Sequence, residues 1–143
     1  MPRVSRSRVV DAPPDRLWEV VGDPHHLPRW WPGVRRVEGV EADRFTEVLY
    51  TRKGHPVRVD FRVAETEPPR RQVWEQELAG TPFERVLSQS VIEVAIEPSG
   101  EGSEVTLSQR QQLRGYSRTG GWMLRRATRR KLDEALDGLA AIA

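Results

Sequence analysis

The sequence predicts an α+β fold in which a curved antiparallel sheet of about seven strands wraps around one long C-terminal helix, with two short helices after the first strand. Three observations lead there. Apolar residues alternate with polar ones through most of the chain, Gly and Pro break that alternation at short intervals, and helical spacing appears only near the start and over the last segment. Short loops between successive strands make the sheet antiparallel.

Val4 to Val10 carries β-formers and serine with arginine between them and stops at Asp11-Ala-Pro-Pro14, where a strand cannot continue. Pro14 suits a first helical position, Asp15 favours the helix dipole, and Leu17, Trp18 and Val21 follow at helical spacing up to Gly22. Asp23-Pro24-His-His-Leu-Pro28 allows one further turn, presenting Leu27, Trp30 and Trp31 before Pro32-Gly33. The period then becomes two in Val34 to Asp43 and Phe45 to Arg52, a hairpin reversing at Glu41-Ala-Asp43. Val57 to Val63 is the clearest strand, with Val57, Val59, Phe61 and Val63 on one face. Gln72 to Leu78 makes the next. Phe83 to Ile96 is long enough to need a bend or bulge, and Glu104 to Arg114 is the last strand. Trp122 to Ala143 has no breaker except Gly138 and sets Leu124, Thr128, Leu132, Ala135, Leu136, Leu139 and Ile142 along one stripe. That helix can bury its stripe only against the concave face of the sheet.

The chain has 143 residues, enough to bury a core without staples and short enough for one domain, 1–143. No cysteine is present, which excludes disulfides, thiolate metal sites and a cysteine nucleophile. The charged start, Met1 to Arg8, is followed by no apolar run, so neither a signal peptide nor a membrane span is expected and the protein reads as soluble and cytoplasmic. The pI near 9.5 reflects arginine usage rather than charge. Lys and Arg total 23 against 21 acids, a net +2 spread along the chain, and only Lys53 and Lys131 are lysine. DNA binding is not expected from that distribution.

The segments Val10-Asp-Ala-Pro-Pro-Asp-Arg-Leu-Trp18, Asp23-Pro24 and Trp30-Trp-Pro-Gly33 resemble the opening of the polyketide cyclase/dehydrase and StAR-related lipid-transfer superfamily, the START-like helix-grip proteins. Val63-Ala-Glu-Thr-Glu-Pro-Pro-Arg70 with Trp74, Ile96-Glu-Pro98 with the turn ending at Glu104-Val-Thr106, and the glycine-preceded last helix extend the resemblance over the whole chain. What the resemblance implies is a ligand cavity between sheet and last helix, opening near the second short helix. Its members include aromatase/cyclases, lipid and hormone carriers, quinone-binding proteins and co-chaperone-related domains, so it does not select a function.

Catalytic signatures are weak. His25, His26 and His55 are the three histidines; the first two are loop neighbours without a His-Glu-x-x-His spacing, so no metal site is expected and they read as solvated. Gly115-Tyr-Ser-Arg-Thr-Gly120 resembles a nucleophile elbow, but the second glycine falls one place late; a flexible helix lead-in is the plainer reading. Glu75 and Glu77 share a strand face and suggest an acid/base pair, yet Arg85 on the neighbouring strand makes a surface ion-pair ladder the better expectation. No catalytic residue is assigned.

Polar residues that interrupt apolar faces are more informative, because a buried amide or hydroxyl without a partner costs about 1–3 kcal/mol. Gln109 and Gln111 share parity with Val105, Leu107 and Leu113, and Ser88 and Ser90 share parity with Val86, Ile92, Val94 and Ile96. Trp74, Gln76 and Leu78 share a face on the preceding strand, Phe61 faces the same way, and Tyr50 offers a hydroxyl. Together they describe a mostly apolar pocket with a polar end, the usual make-up of a small-molecule site. The plainer alternative is amides facing solvent beyond a parity-flipping bulge. Of Trp30 and Trp31, one is expected to face the ligand and one to plug the core, Trp18 is expected in the core, and Trp122 either caps the cavity or packs on the sheet. Arg125, Arg126, Arg129, Arg130 and Lys131 form a basic stretch that reads either as a solvated helix face or as a surface for phosphate or anionic membrane.

The expected function is cofactor-free binding of a small hydrophobic molecule, such as a lipid, polyketide or quinone, by a monomer or homodimer. One alternative is an aromatase/cyclase that folds a reactive chain and excludes water. Another is an interaction module directed at a ribosome or chaperone through the basic helix.

Overall fold

The computed structural model describes residues 3–115 and 118–143. Seven strands form one antiparallel sheet in the order β1-β7-β6-β5-β4-β3-β2, so only the first strand leaves sequential order, crossing to pair with the last. β1 (Arg3–Val10) leads to α1 (Pro14–Val21), a 3-10 turn at Pro24–His26 and α2 (Leu27–Trp30). β2 (Val34–Glu38), β3 (Arg44–Tyr50), β4 (Pro56–Glu67), β5 (Arg71–Gln76), β6 (Leu87–Ser99) and β7 (Gly102–Leu113) follow, and α3 (Arg118–Ile142) ends the chain. The α+β architecture, the seven strands and both short helices are those the sequence predicts.

Two local expectations are corrected. Residues 83–86 are not the start of the long strand, because Pro82–Arg85 forms a 3-10 turn and β6 begins at Leu87. Pro82 at the start of that turn cannot donate to a ladder, so pairing waits until the chain has turned. Arg85, held in the turn, does not pair with Glu75; Glu75 instead accepts from Arg62 at 2.9 Å on the convex face. The Tyr116-Ser117 centre of the elbow-like segment lies outside the described residues.

The core lies between the concave face of the sheet and α3. Leu132, Ala135, Leu136 and Leu139 are buried on the predicted stripe, opposite Leu107, Val105, Val94 and Ile96. α3 leans toward β1, β7 and α2 rather than sitting centrally. Arg6 Nε holds Asp133 at 2.7 Å, and Arg8 reaches Asp137 one turn on, which fastens the edge strand to the helix. Gly138 permits the close crossing with α2: a Cβ there would lie 2.6 Å from the Trp30 carbonyl oxygen.

Candidate functional site

The aromatic residues of the interior form one connected group. Phe45 stacks on Phe61 with centroids 5.4 Å apart, and Trp74 meets Phe45, Trp31 and Trp30 at 5.6, 5.7 and 6.3 Å. Trp30 and Trp31 are edge-to-face at 5.4 Å, an arrangement in which the positive ring edge meets the negative face. All five rings are buried, so both loop tryptophans plug the core. The expectation that one of them faces a ligand at the mouth is corrected by the length of α2, a single turn that swings both indoles under α3. Trp74 Nε1 donates to Gln72 Oε1 at 2.7 Å, whereas Trp30 Nε1 has no hydrogen-bond partner among the described residues.

Beyond the rings the interior turns polar. Phe45, Phe61 and Gln76 lie opposite one another across β3, β4 and β5, and Ser90 lies opposite Gln111 across β6 and β7. Gln109 Nε2 donates to Ser90 Oγ at 3.3 Å, and Thr128 Oγ1 of α3 donates to Gln111 Oε1 at 3.1 Å. The far end of the Gln109 amide is buried without a partner. Turning the amide over would only exchange which end is orphaned. Val4, Gln109, Gln111, Leu113, Leu124 and Thr128 line a recess of about 330 Å³ between β7, the edge strand and the first turns of α3. Gln76 is half-buried and, with Ser88 and Ser90, borders a separate depression of about 430 Å³ at the lip of β4 to β6.

Three further residues of the predicted site are placed elsewhere. Ser88 is exposed and donates to the Gln112 carbonyl at 3.3 Å, because the register shifts between Leu87 and Gln89 and turns Ser88 away from the face of Ser90. Tyr50 sits on the convex face, sharing parity with Val48; Arg36 donates to its hydroxyl at 2.6 Å, and the guanidinium of Arg35 lies 5.6 Å from its ring centroid. Trp122 is 52 % exposed on α3 with Arg126 5.7 Å from its ring centroid, so it neither caps the recess nor packs on the sheet. Among the histidines, His25 pairs with Asp23 at 2.8 Å and His26 meets Arg29 at 3.2 Å.

The pair that sequence reasoning missed is Glu47 with Lys131. Glu47 lies on the helix-facing side of β3, flanked along the strand by Phe45 and Leu49 and across it by Val37 and Val59. It is 3 % exposed, and its Oε2 has no hydrogen-bond partner among the described residues. Burial pushes its carboxyl up to about 7, and the charge of Lys131 offsets only part of that. Lys131 does not join the exposed arginines of its helix. It turns inward, with Nζ 5.9 Å from the Trp31 ring centroid, and burial lowers its own pKa against the opposing charge of Glu47. The same ammonium borders a groove of about 440 Å³ running along α3 past Met123 and Ala127. A signal existed in the sequence: Glu47 interrupts an apolar alternation, and Lys131 directly precedes Leu132 on the stripe.

A curved antiparallel sheet around a long last helix, with an aromatic interior and a polar end, is a helix-grip fold. The family described as polyketide cyclase/dehydrase and lipid transport matches residues 1–143, and the chain belongs to that family. Similar solved structures include the di-domain ARO/CYC BexL from the BE-7585A biosynthetic pathway, 25% identical, with TM-score 0.81 over 99% of this chain and 46% of that one. The di-domain ARO/CYC StfQ from the steffimycin pathway is 16% identical, with TM-score 0.78 over 97% of this chain and 49% of that one. A START superfamily protein from Mycobacterium smegmatis is 12% identical, with TM-score 0.79 over 97% of this chain and 94% of that one. The chain thus spans about half the length of the di-domain proteins it matches. No curated protein sequence matches it.

Proposed function

We propose that the protein binds a small hydrophobic molecule bearing a few polar atoms, held between β7 and α3. The observation that carries this reading is the recess of about 330 Å³ with the half-partnered Gln109 amide on its wall. Leu113, Leu124 and Val4 supply the apolar lining, and the free end of the amide supplies one directed hydrogen bond. A buried amide end left without a partner is disfavoured by about 1–3 kcal/mol, which a ligand polar atom would recover on binding. No cofactor enters this reading.

The similarity to BexL, reaching 25% identity across 99% of the chain, supports a second reading in which the same interior folds a polyketide for cyclisation. Catalysis would then come from orientation and exclusion of water, with Gln109, Gln111 and Ser90 directing the chain.

Native mass spectrometry against panels of lipids, quinones and aromatic polyketides tests the binding reading. Replacing Gln109 and Gln111 together by leucine is expected to weaken the best ligand by about tenfold or more while changing thermal stability little, since lost hydrogen bonds are offset by added apolar burial. Unchanged affinity would show that these amides do not line the ligand site. Product analysis with a linear polyketide chain separates the two readings: turnover supports a cyclase, retention without turnover a carrier.

A further inference from the structure

The net charge of +2 is less evenly spread than its small size suggests. Val105 to Leu132 carries eight basic residues and no acid, which leaves the rest of the chain with 15 basic residues against 21 acidic. Elsewhere on the surface arginine is paired: Arg6 with Asp133, Arg58 with Glu38, Arg62 with Glu75 and Arg71 with Glu93. Arg125, Arg126, Arg129 and Arg130 of α3 are exposed and make no ion pair among the described residues. Further along the helix, Asp133 and Asp137 are held by Arg6 and Arg8, and Glu134 is the one acid on the rim of the groove beside these arginines. Trp122 and Met123 stand just before them, each more than half exposed, whereas the other four tryptophans are buried or partly buried. Trp122, Met123, Arg126, Ala127 and Arg130 share one arc of the helix, turned away from the buried stripe, and line that groove of about 440 Å³. The fold buries neither the indole nor the thioether, so their apolar surface is free for a partner.

We infer that this outer face of α3 docks on an anionic lipid bilayer, with Trp122 and Met123 in the headgroup boundary and Arg126, Arg129 and Arg130 on lipid phosphates. Docking of this face does not depend on what the recess beside β7 holds. An indole suits the boundary because its ring is apolar while its N–H stays hydrated, and a thioether fills the space without a fixed shape. Guanidiniums reach the phosphates while their apolar stems lie along the boundary. Each basic residue held near an anionic bilayer strengthens partitioning by about fivefold. No helix among the described residues is long and apolar enough to cross a membrane, so the contact is with its surface. An RNA strand would use the arginines but not Met123, which has no flat face for a base, and the Trp122 ring already faces the Arg126 guanidinium.

The test is flotation of the full chain with vesicles of phosphatidylcholine alone and of phosphatidylcholine mixed with phosphatidylglycerol. The unmodified protein is expected to partition about tenfold or more better onto the anionic vesicles and to lose most of that preference in high salt. Arg126→Gln with Arg130→Gln is expected to weaken anionic partitioning by about tenfold or more. Arg58→Gln with Arg62→Gln, which removes the same charge from the convex face of the sheet, is expected to change it by less than about twofold. Trp122→Ser with Met123→Ser is expected to weaken it several-fold while its salt dependence remains. All six side chains are exposed, so each paired variant is expected to melt near the unmodified protein. Equal partitioning onto the two vesicle types, or equal loss in the two arginine variants, would overturn the docking face and leave the ligand-binding reading standing. Undiminished partitioning of the Trp122 and Met123 variant would overturn it too. Retention of poly-uridylate with no binding to either vesicle would overturn the lipid assignment in favour of a nucleic-acid partner.

Discussion

At the scale of single residues the energetics turn on Glu47. A carboxyl whose pKa is about 7 when folded and near 4.5 when unfolded is easier to protonate in the native state. The native protein therefore binds more protons across that interval, and stability falls as pH rises through it. The favourable contribution is complete below the unfolded value and lost once pH passes the folded one. The difference is on the order of 3 kcal/mol at most, and the charge of Lys131, the titratable group facing Glu47, tempers it. Urea unfolding at pH 5.5 and pH 8 is expected to show the native state weaker at the higher pH, and Glu47→Gln is expected to flatten that difference. An unchanged slope in Glu47→Gln would place the titration elsewhere.

At the scale of elements, α3 is set by two glycines with opposite roles. Gly138 lies against the α2 backbone, where a Cβ would come within 2.6 Å of the Trp30 oxygen, while a Cβ on Gly121 meets nothing within 4 Å. Gly138→Ala is thus expected to destabilise by about 1–3 kcal/mol through overpacking, because a backbone atom cannot swing aside as a side chain would. Gly121→Ala is expected to stabilise by about 0.5–1 kcal/mol, the ordinary helical gain. Chemical denaturation of the two variants side by side reads the opposite signs. The same element shows why Lys131 is hard to assign from sequence. It follows four exposed arginines within seven residues, Arg125, Arg126, Arg129 and Arg130, yet it falls on the inward edge of the stripe next to Leu132.

At the scale of the whole molecule, Trp74 joins what the chain order keeps apart. Its ring touches Phe45 of β3 and both indoles at α2, which in turn lie under α3. Trp74→Ala is expected to cost about 3–5 kcal/mol, since the packed rings around it cannot collapse into the space. Arg6→Ala, which removes an ion pair with both partners nearly half exposed, is expected to cost less than about 1 kcal/mol. Denaturant midpoints that reverse this order would mean that the edge strand, and not the aromatic group, holds sheet and helix together.

Much of the molecule is legible in the sequence because its signals are local. Alternation in Val57 to Val63, the Pro-Pro stop after β1 and the unbroken stripe of α3 each act on neighbouring residues, so they determine the elements and the antiparallel sheet. Parity along β7 likewise places Gln109 and Gln111 on the face toward the helix. Where a distant partner decides, the sequence is silent. The bulge between Leu87 and Gln89 turns Ser88 outward, Tyr50 belongs to the convex face with Arg36, and a one-turn helix carries both Trp30 and Trp31 into the core. Glu47 and Lys131, more than eighty positions apart in sequence, feel each other's charge only because sheet and helix close on each other, and burial that neither residue can set alone shifts both. The sequence by itself determined a curved sheet around a helix with a polar end; the tertiary structure decided which polar groups are left facing one another there, because desolvation is a property of the assembled interior.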